Sequence, residues 1–183
     1  IIFRLVAQLY VTTENPIDSL AKSFLGQVYI ALPMASMNIL FNYYGSHILL
    51  ALFIFIWVND TGAFCVGSLI GKNRLFERIS PKKSWEGFFG GFIAVLAVSA
   101  IISLYFNNYF TGLTLTEWLI LGGISSIFAT WGDLNESLIK RTVNVKDSGK
   151  ILPGHGGMLD RIDSLLLVVP ATLIILIIIK STF

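Results

Sequence analysis

Long apolar runs constrain the fold of this chain more than any other feature. Near 23–41, 47–70, 87–106, 114–132 and 163–180 the sequence carries few charges. Each run has roughly 18–24 residues, the length a helix needs to cross about 30 Å of hydrocarbon. Hydrophobic residues make up 55% of the 183, more than the interior of a soluble domain this size can hold. Open strands would leave unpaired backbone groups in lipid, so helices are expected. The fold class is therefore all-α: a polytopic integral membrane protein with about five to six transmembrane helices, organised as a single membrane-embedded domain over 1–183.

The opening run Ile1–Thr13 is short for a span, and the first residue is not methionine. Further helices are expected before it. No basic start or small-residue cleavage site suggests a signal peptide. Cys65 is the only cysteine, so no internal disulfide is available, and its apolar neighbours make it read as a small buried hydrophobe.

Charge is informative through its distribution rather than its formal sum of +2. Of the 13 Lys and Arg, all but Arg4, Lys22 and Lys180 lie in the links 71–86 and 133–162. Alternate crossing puts both links on one side, and the positive-inside bias makes that side cytoplasmic. The links around Asn42–Ser46 and Asn107–Gly112 carry no charge.

The segment Ser137–Ser164 is the densest in chemistry. Lys140, Arg141, Lys146, Lys150, His155 and Arg161 alternate with Asp147, Asp160 and Asp163, around a turn-rich centre of Gly149, Pro153, Gly154, Gly156 and Gly157. Cations attract phosphate, carboxylates hold magnesium, and glycines let backbone N–H groups approach an anion. Beside a membrane, this suggests chemistry on a phosphorylated lipid or nucleotide. On a helix from Trp131, the residues Asp133, Ser137 and Lys140 share one face, flanked by Glu136 and Arg141; an amphipathic surface helix is the plainer reading. Asp160 and Asp163 share a face at the entry to the last span, where unpaired carboxylates are costly, although one acidic residue there can simply complement the helix dipole.

Two upstream blocks add to this. Asp60 is the only charge between His47 and Lys72. A carboxylate at that depth is costly unless it is paired or faces water, and Asn59 and Thr61 can hydrogen-bond beside it. Ser80–Gly87 sets Lys82 and Lys83 beside Pro81 and Trp85, suited to phosphate oxygens or anionic headgroups.

Together these blocks resemble the phosphatidate cytidylyltransferases, or CDP-diacylglycerol synthases. The resemblance rests on Ser137, Lys140, Arg141, Lys146, Asp147, Gly149, Pro153, Gly154, His155, Gly156, Gly157, Asp160, Arg161, Asp163 and Ser164, preceded in order by Asn59–Ala63, Ser80–Gly87 and Gly132–Ser137. It covers 57–164; the first fifty or so residues match only as generic membrane helices. It implies transfer of CMP from CTP to phosphatidate, giving CDP-diacylglycerol and pyrophosphate, from catalytic loops facing the cytoplasm. It implies Asp133 and Asp160 as ligands of magnesium, expected as two ions, with Asp163 and Asp147 next. Asp133, Asp160, Asp163, Lys140 and Arg141 would be catalytic. Lys82, Lys83, Lys146, Asp147, His155, Gly156, Gly157 and Arg161 would bind substrate, with Asp60 lining the polar cavity. The partners it implies are CTP, phosphatidate and the bilayer of a bacterial plasma membrane, no nucleic acid, and a homodimer as candidate assembly.

Three rivals compete with this reading. A polyprenol or dolichol kinase would share CTP and metal chemistry but pass on the γ-phosphate. A transporter would place its polar groups near the midplane and often show two related halves; here the polar content sits in two loops. A noncatalytic scaffold would not need aspartates suited to magnesium.

Overall fold

The computed structural model describes residues 2–12, 15–106, 108–110, 112–149 and 157–182. A short helix α1 (Ile2–Gln8) precedes α2 (Pro16–Gly26), which passes through a π-helical turn at Gln27–Ala31 into α3 (Leu32–Tyr44). Then come α4 (Ser46–Ile70), a hairpin of β1 (Arg74–Phe76) and β2 (Ser80–Ser84), α5 (Trp85–Tyr105), α6 (Leu115–Thr142) and α7 (Leu159–Thr182).

Local chemistry sets the boundaries. Pro16 opens α2 where a missing N–H is tolerated, and the Asn15 side chain accepts from the Asp18 N–H. Gly45, at φ 85°, turns the chain between α3 and α4 in a region most side chains avoid. Ser84 caps α5 by accepting from the Gly87 N–H. Thr114 and Glu117 form a reciprocal capping box at α6.

Four continuous helices are long and apolar enough to cross a membrane: Pro16–Tyr44, Ser46–Ile70, Trp85–Tyr105 and Leu159–Lys180. The run expected at 114–132 also lies in a helix, α6, but falls outside that set. Gly122, Gly123, Ser125, Ser126, Thr130 and Gly132 dilute its hydropathy, and all of them are buried. The small residues serve packing inside the bundle rather than contact with lipid. In the core, Trp118 of α6 meets Phe55 of α4 edge-on with ring centroids 6.3 Å apart. Leu40, Leu52, Val95, Leu121, Val168 and Leu176 are fully buried around it. The outward faces keep Phe64, Leu69, Ile93, Leu104 and Ile174 exposed, as lipid-facing positions require.

Two expectations change. The charged link 71–86 contains an antiparallel hairpin, with Arg74 opposite Ser84 and Phe76 opposite Ser80. Its base is tied by Glu86, which accepts from the Asn73 N–H and from its side-chain Nδ2 at 2.7 Å, while Trp85 N–H donates to the Asn73 carbonyl. Cys65 is exposed rather than buried, because it stands on the outward face of α4.

Candidate active site

The C-terminal half of α6 supplies the centre of the site. Its helical repeat stacks Asp133 and Glu136 on the side facing α7, which brings Asp163. One carboxylate oxygen from each of the three lies within 4.8 Å of the others. Gly132 makes this approach possible: a Cβ there would stand 2.8 Å from the Asp163 carbonyl oxygen and 2.9 Å from the Ser164 Cα. Such a group of hard oxygen donors is the kind a divalent cation such as magnesium takes. Glu136 is fully buried, and its Oε1 has no hydrogen-bond partner among the described residues.

Cations hold the remaining negative charge. Lys140 sits one turn after Glu136 and bridges Glu136 at 2.7 Å and Asp160 at 2.6 Å. The hairpin delivers Lys83, whose Nζ pairs with Asp133 at 2.6 Å and donates to the Thr130 carbonyl at 3.4 Å. The Ser137 hydroxyl donates to Asp133 at 3.4 Å. Beneath the hairpin lies a cavity of about 580 Å³. Asp60 and Asp133 lie on its acidic side, and Arg74, Lys82 and Lys83 on its basic side. Asp60 therefore faces a polar space rather than lipid, which answers the cost of a carboxylate inside an apolar run.

The sequence expectation of metal ligation by Asp133 and Asp160 needs revision in one respect. Asp163 joins Asp133, but the third member of the cluster is Glu136, not Asp160. Both Asp160 oxygens are already used: Oδ1 by Lys140, and Oδ2 by Ser148 N–H, Ser148 Oγ and Gly157 N–H at 2.9, 2.9 and 2.7 Å. Asp160 thus ties the glycine-rich loop to α6 through Lys140. Arg141, Lys146, Asp147 and Arg161 are exposed and do not line the cavity. His155 and Gly156 lie outside the described residues. Glu136 was legible only as a flank of the Asp133 face. The signal that could have singled it out is its spacing of four from Lys140, which lets a buried carboxylate keep a counter-ion.

The Cytidylyltransferase family model matches residues 1–179, and the chain belongs to that family. It is 44% identical over 163 residues to a phosphatidate cytidylyltransferase of Staphylococcus haemolyticus (strain JCSC1435), covering 85% of this chain and 61% of that relative. It is 41% identical over 163 residues to the protein of that name from Staphylococcus aureus (strain COL), with the same coverage. With the one from Haemophilus influenzae it shares 44% over 129 residues, 70% of this chain and 45% of the relative. The chain thus spans 61% of the length of the staphylococcal relatives. With its apolar helices, it is a membrane protein.

Proposed function

We propose that this protein transfers CMP from CTP to phosphatidate, leaving CDP-diacylglycerol in the bilayer and releasing pyrophosphate. The observation that carries this reading is the cluster Asp133, Glu136 and Asp163 standing beside a cavity with Arg74, Lys82 and Lys83 on its rim. A carboxylate cluster beside lysine and arginine suits a magnesium-bound polyphosphate. The high identity to relatives named phosphatidate cytidylyltransferase supports this substrate pair.

In the reaction a phosphate oxygen of phosphatidate forms a bond to the α-phosphorus of CTP. The bridging α–β P–O bond breaks, and pyrophosphate leaves with the electron pair. The attacking group is already an oxyanion, so the chain needs no serine or cysteine nucleophile. Magnesium fits the cluster, and there it would offset charge building on the transferred and leaving phosphates. Asp133, Glu136 and Asp163 would hold it, with Asp160 the candidate ligand for a second ion. Lys82, Lys83 and Arg74 orient the triphosphate in the cavity, and Lys140 keeps the buried Glu136 ionised and in place. Arg141, Lys146, Asp147, His155, Gly156, Gly157 and Arg161 form the outer phosphate-binding shell, and Asp60 shapes the cavity floor. Most of the rate enhancement then comes from positioning and fixed charge. The setting is a bacterial plasma membrane with the site facing the cytoplasm, where the basic links belong, and a homodimer is the expected assembly.

The test follows label from CTP in detergent-solubilised protein with magnesium and either phosphatidate or dolichol. Label from α-³²P CTP entering lipid, with pyrophosphate released, is the expected result. Label from γ-³²P CTP entering dolichol would replace this reading with a lipid kinase.

A further inference from the structure

The π-helical turn Gln27–Ala31 interrupts the long first span, in a stretch that reads in sequence as ordinary membrane helix. A π turn is strained relative to α-helix and is often kept where it places a functional group. Here it presents Tyr29. The phenol oxygen is buried and has no hydrogen-bond partner among the described residues. Such a group is rare in a folded protein and calls for a reason. Its surroundings supply one. The Tyr29 hydroxyl interacts electrostatically with Glu136, Asp163, Lys140 and Asp133, the acidic cluster together with its lysine. Glu136 Oε1, in that cluster, is likewise buried without a hydrogen-bond partner among the described residues. Two unsatisfied polar atoms, one on the π turn and one on α6, thus belong to the same polar centre.

We propose that Tyr29 is a substrate-positioning residue whose hydroxyl donates a hydrogen bond to a phosphate oxygen held at the Asp133–Glu136–Asp163 cluster. The inference rests on the phosphate chemistry proposed above. A phenol is neutral at physiological pH and can donate. The carboxylates are engaged by cations, and Lys140 has no lone pair to offer. An added phosphate oxygen is therefore the acceptor that would satisfy the phenol. The same chemistry could come from CTP or from the lipid phosphate, and the two are separable by experiment.

Tyr29→Phe removes one oxygen and keeps the ring. Were the hydroxyl merely structural, losing a buried unpartnered group would leave stability unchanged or raised, with substrate binding untouched. Binding of radiolabelled CTP and of short-chain phosphatidate, each alone with magnesium, is measured by equilibrium dialysis on the solubilised protein. Mn²⁺ affinity and the melting temperature are measured alongside. The expected result is an unchanged melting temperature and Mn²⁺ affinity. Affinity for one substrate should fall by about tenfold or more, the loss of a hydrogen bond to a charged group. The substrate that weakens identifies the source of the phosphate. Equal binding of both substrates by wild type and Tyr29→Phe overturns the proposal while leaving the reaction intact. Wild-type protein that binds neither substrate overturns the reaction and the proposal together. Weaker Mn²⁺ binding in Tyr29→Phe would place the phenol on the ion instead and equally overturn it.

Discussion

At the scale of single residues, the site depends on how a few carboxylates are balanced. Glu136 is fully buried and Lys140 is its ion-pair partner, shared with Asp160. Lys140→Met should therefore destabilise the protein by about 3–5 kcal/mol, because it leaves buried charge uncompensated; an unchanged melting temperature would argue against the pair. Asp133→Asn should lower turnover by about 100-fold or more, the cost of losing charge stabilisation at a reacting phosphate, with membrane insertion preserved. Near-normal turnover would remove Asp133 from the metal site. Lys83 occupies Asp133 directly at 2.6 Å, so it competes with any cation there. Lys83→Met should bind Mn²⁺ more tightly in the absence of nucleotide and require more CTP for half-maximal rate. Weaker Mn²⁺ binding would mean that Lys83 supports the ion site rather than guarding it. Much of this was legible in sequence: Asp133, Asp163, Lys83 and Lys140 stand in charged blocks against an apolar background. Glu136 and Tyr29 were not, because one reads as a helix flank and the other as a residue inside a membrane span. Only the packing of α6 on α7 and the π turn expose their roles.

At the scale of elements, helix approach positions the chemistry. Gly132 sits against the backbone of α7 at Asp163 and Ser164, and a rigid backbone cannot yield as a flexible side chain would. Gly132→Ala should cost about 1–3 kcal/mol through overpacking and reduce turnover with it, by spreading Asp133 from Asp163. Gly26 provides the control, since a Cβ there meets nothing within 4 Å. Gly26→Ala should be neutral or stabilise by up to about 1 kcal/mol. Equal melting temperatures for the two variants would count against the close approach of α6 and α7. The apolar runs foretold most helices, since length and hydropathy are what a bilayer selects. The more polar run at 114–132 became the inner helix α6, where Ser126 donates to Asn59 Oδ1 at 2.6 Å and Asn59 Nδ2 donates to Thr130 at 3.3 Å. The hairpin was hidden because Lys82 and Lys83 read as a topogenic loop, and its anchor, Glu86 on Asn73, joins residues thirteen apart with no periodic signal.

For the whole molecule, the site exists only if the hairpin and the C-terminal end of α6 reach the same side of the membrane. The pairing of Lys83 with Asp133 demands it, because α5 and α6 must then cross and return. The uncharged turn between them, around Tyr109, must lie on the opposite side. Single cysteines test this arrangement in a Cys65→Ser background, which removes the one native thiol. Glu77→Cys on the hairpin and Val143→Cys after α6 should both react with a membrane-impermeant maleimide in inverted vesicles and resist it in intact spheroplasts. Tyr109→Cys should show the reverse. The labelling pattern separates two claims that sequence bias alone merges. If Glu77→Cys and Val143→Cys label from opposite sides, no common site can form from these elements. If both label from outside, the site stands but faces away from the nucleotide pool, and CTP-dependent transfer by this protein loses its substrate supply.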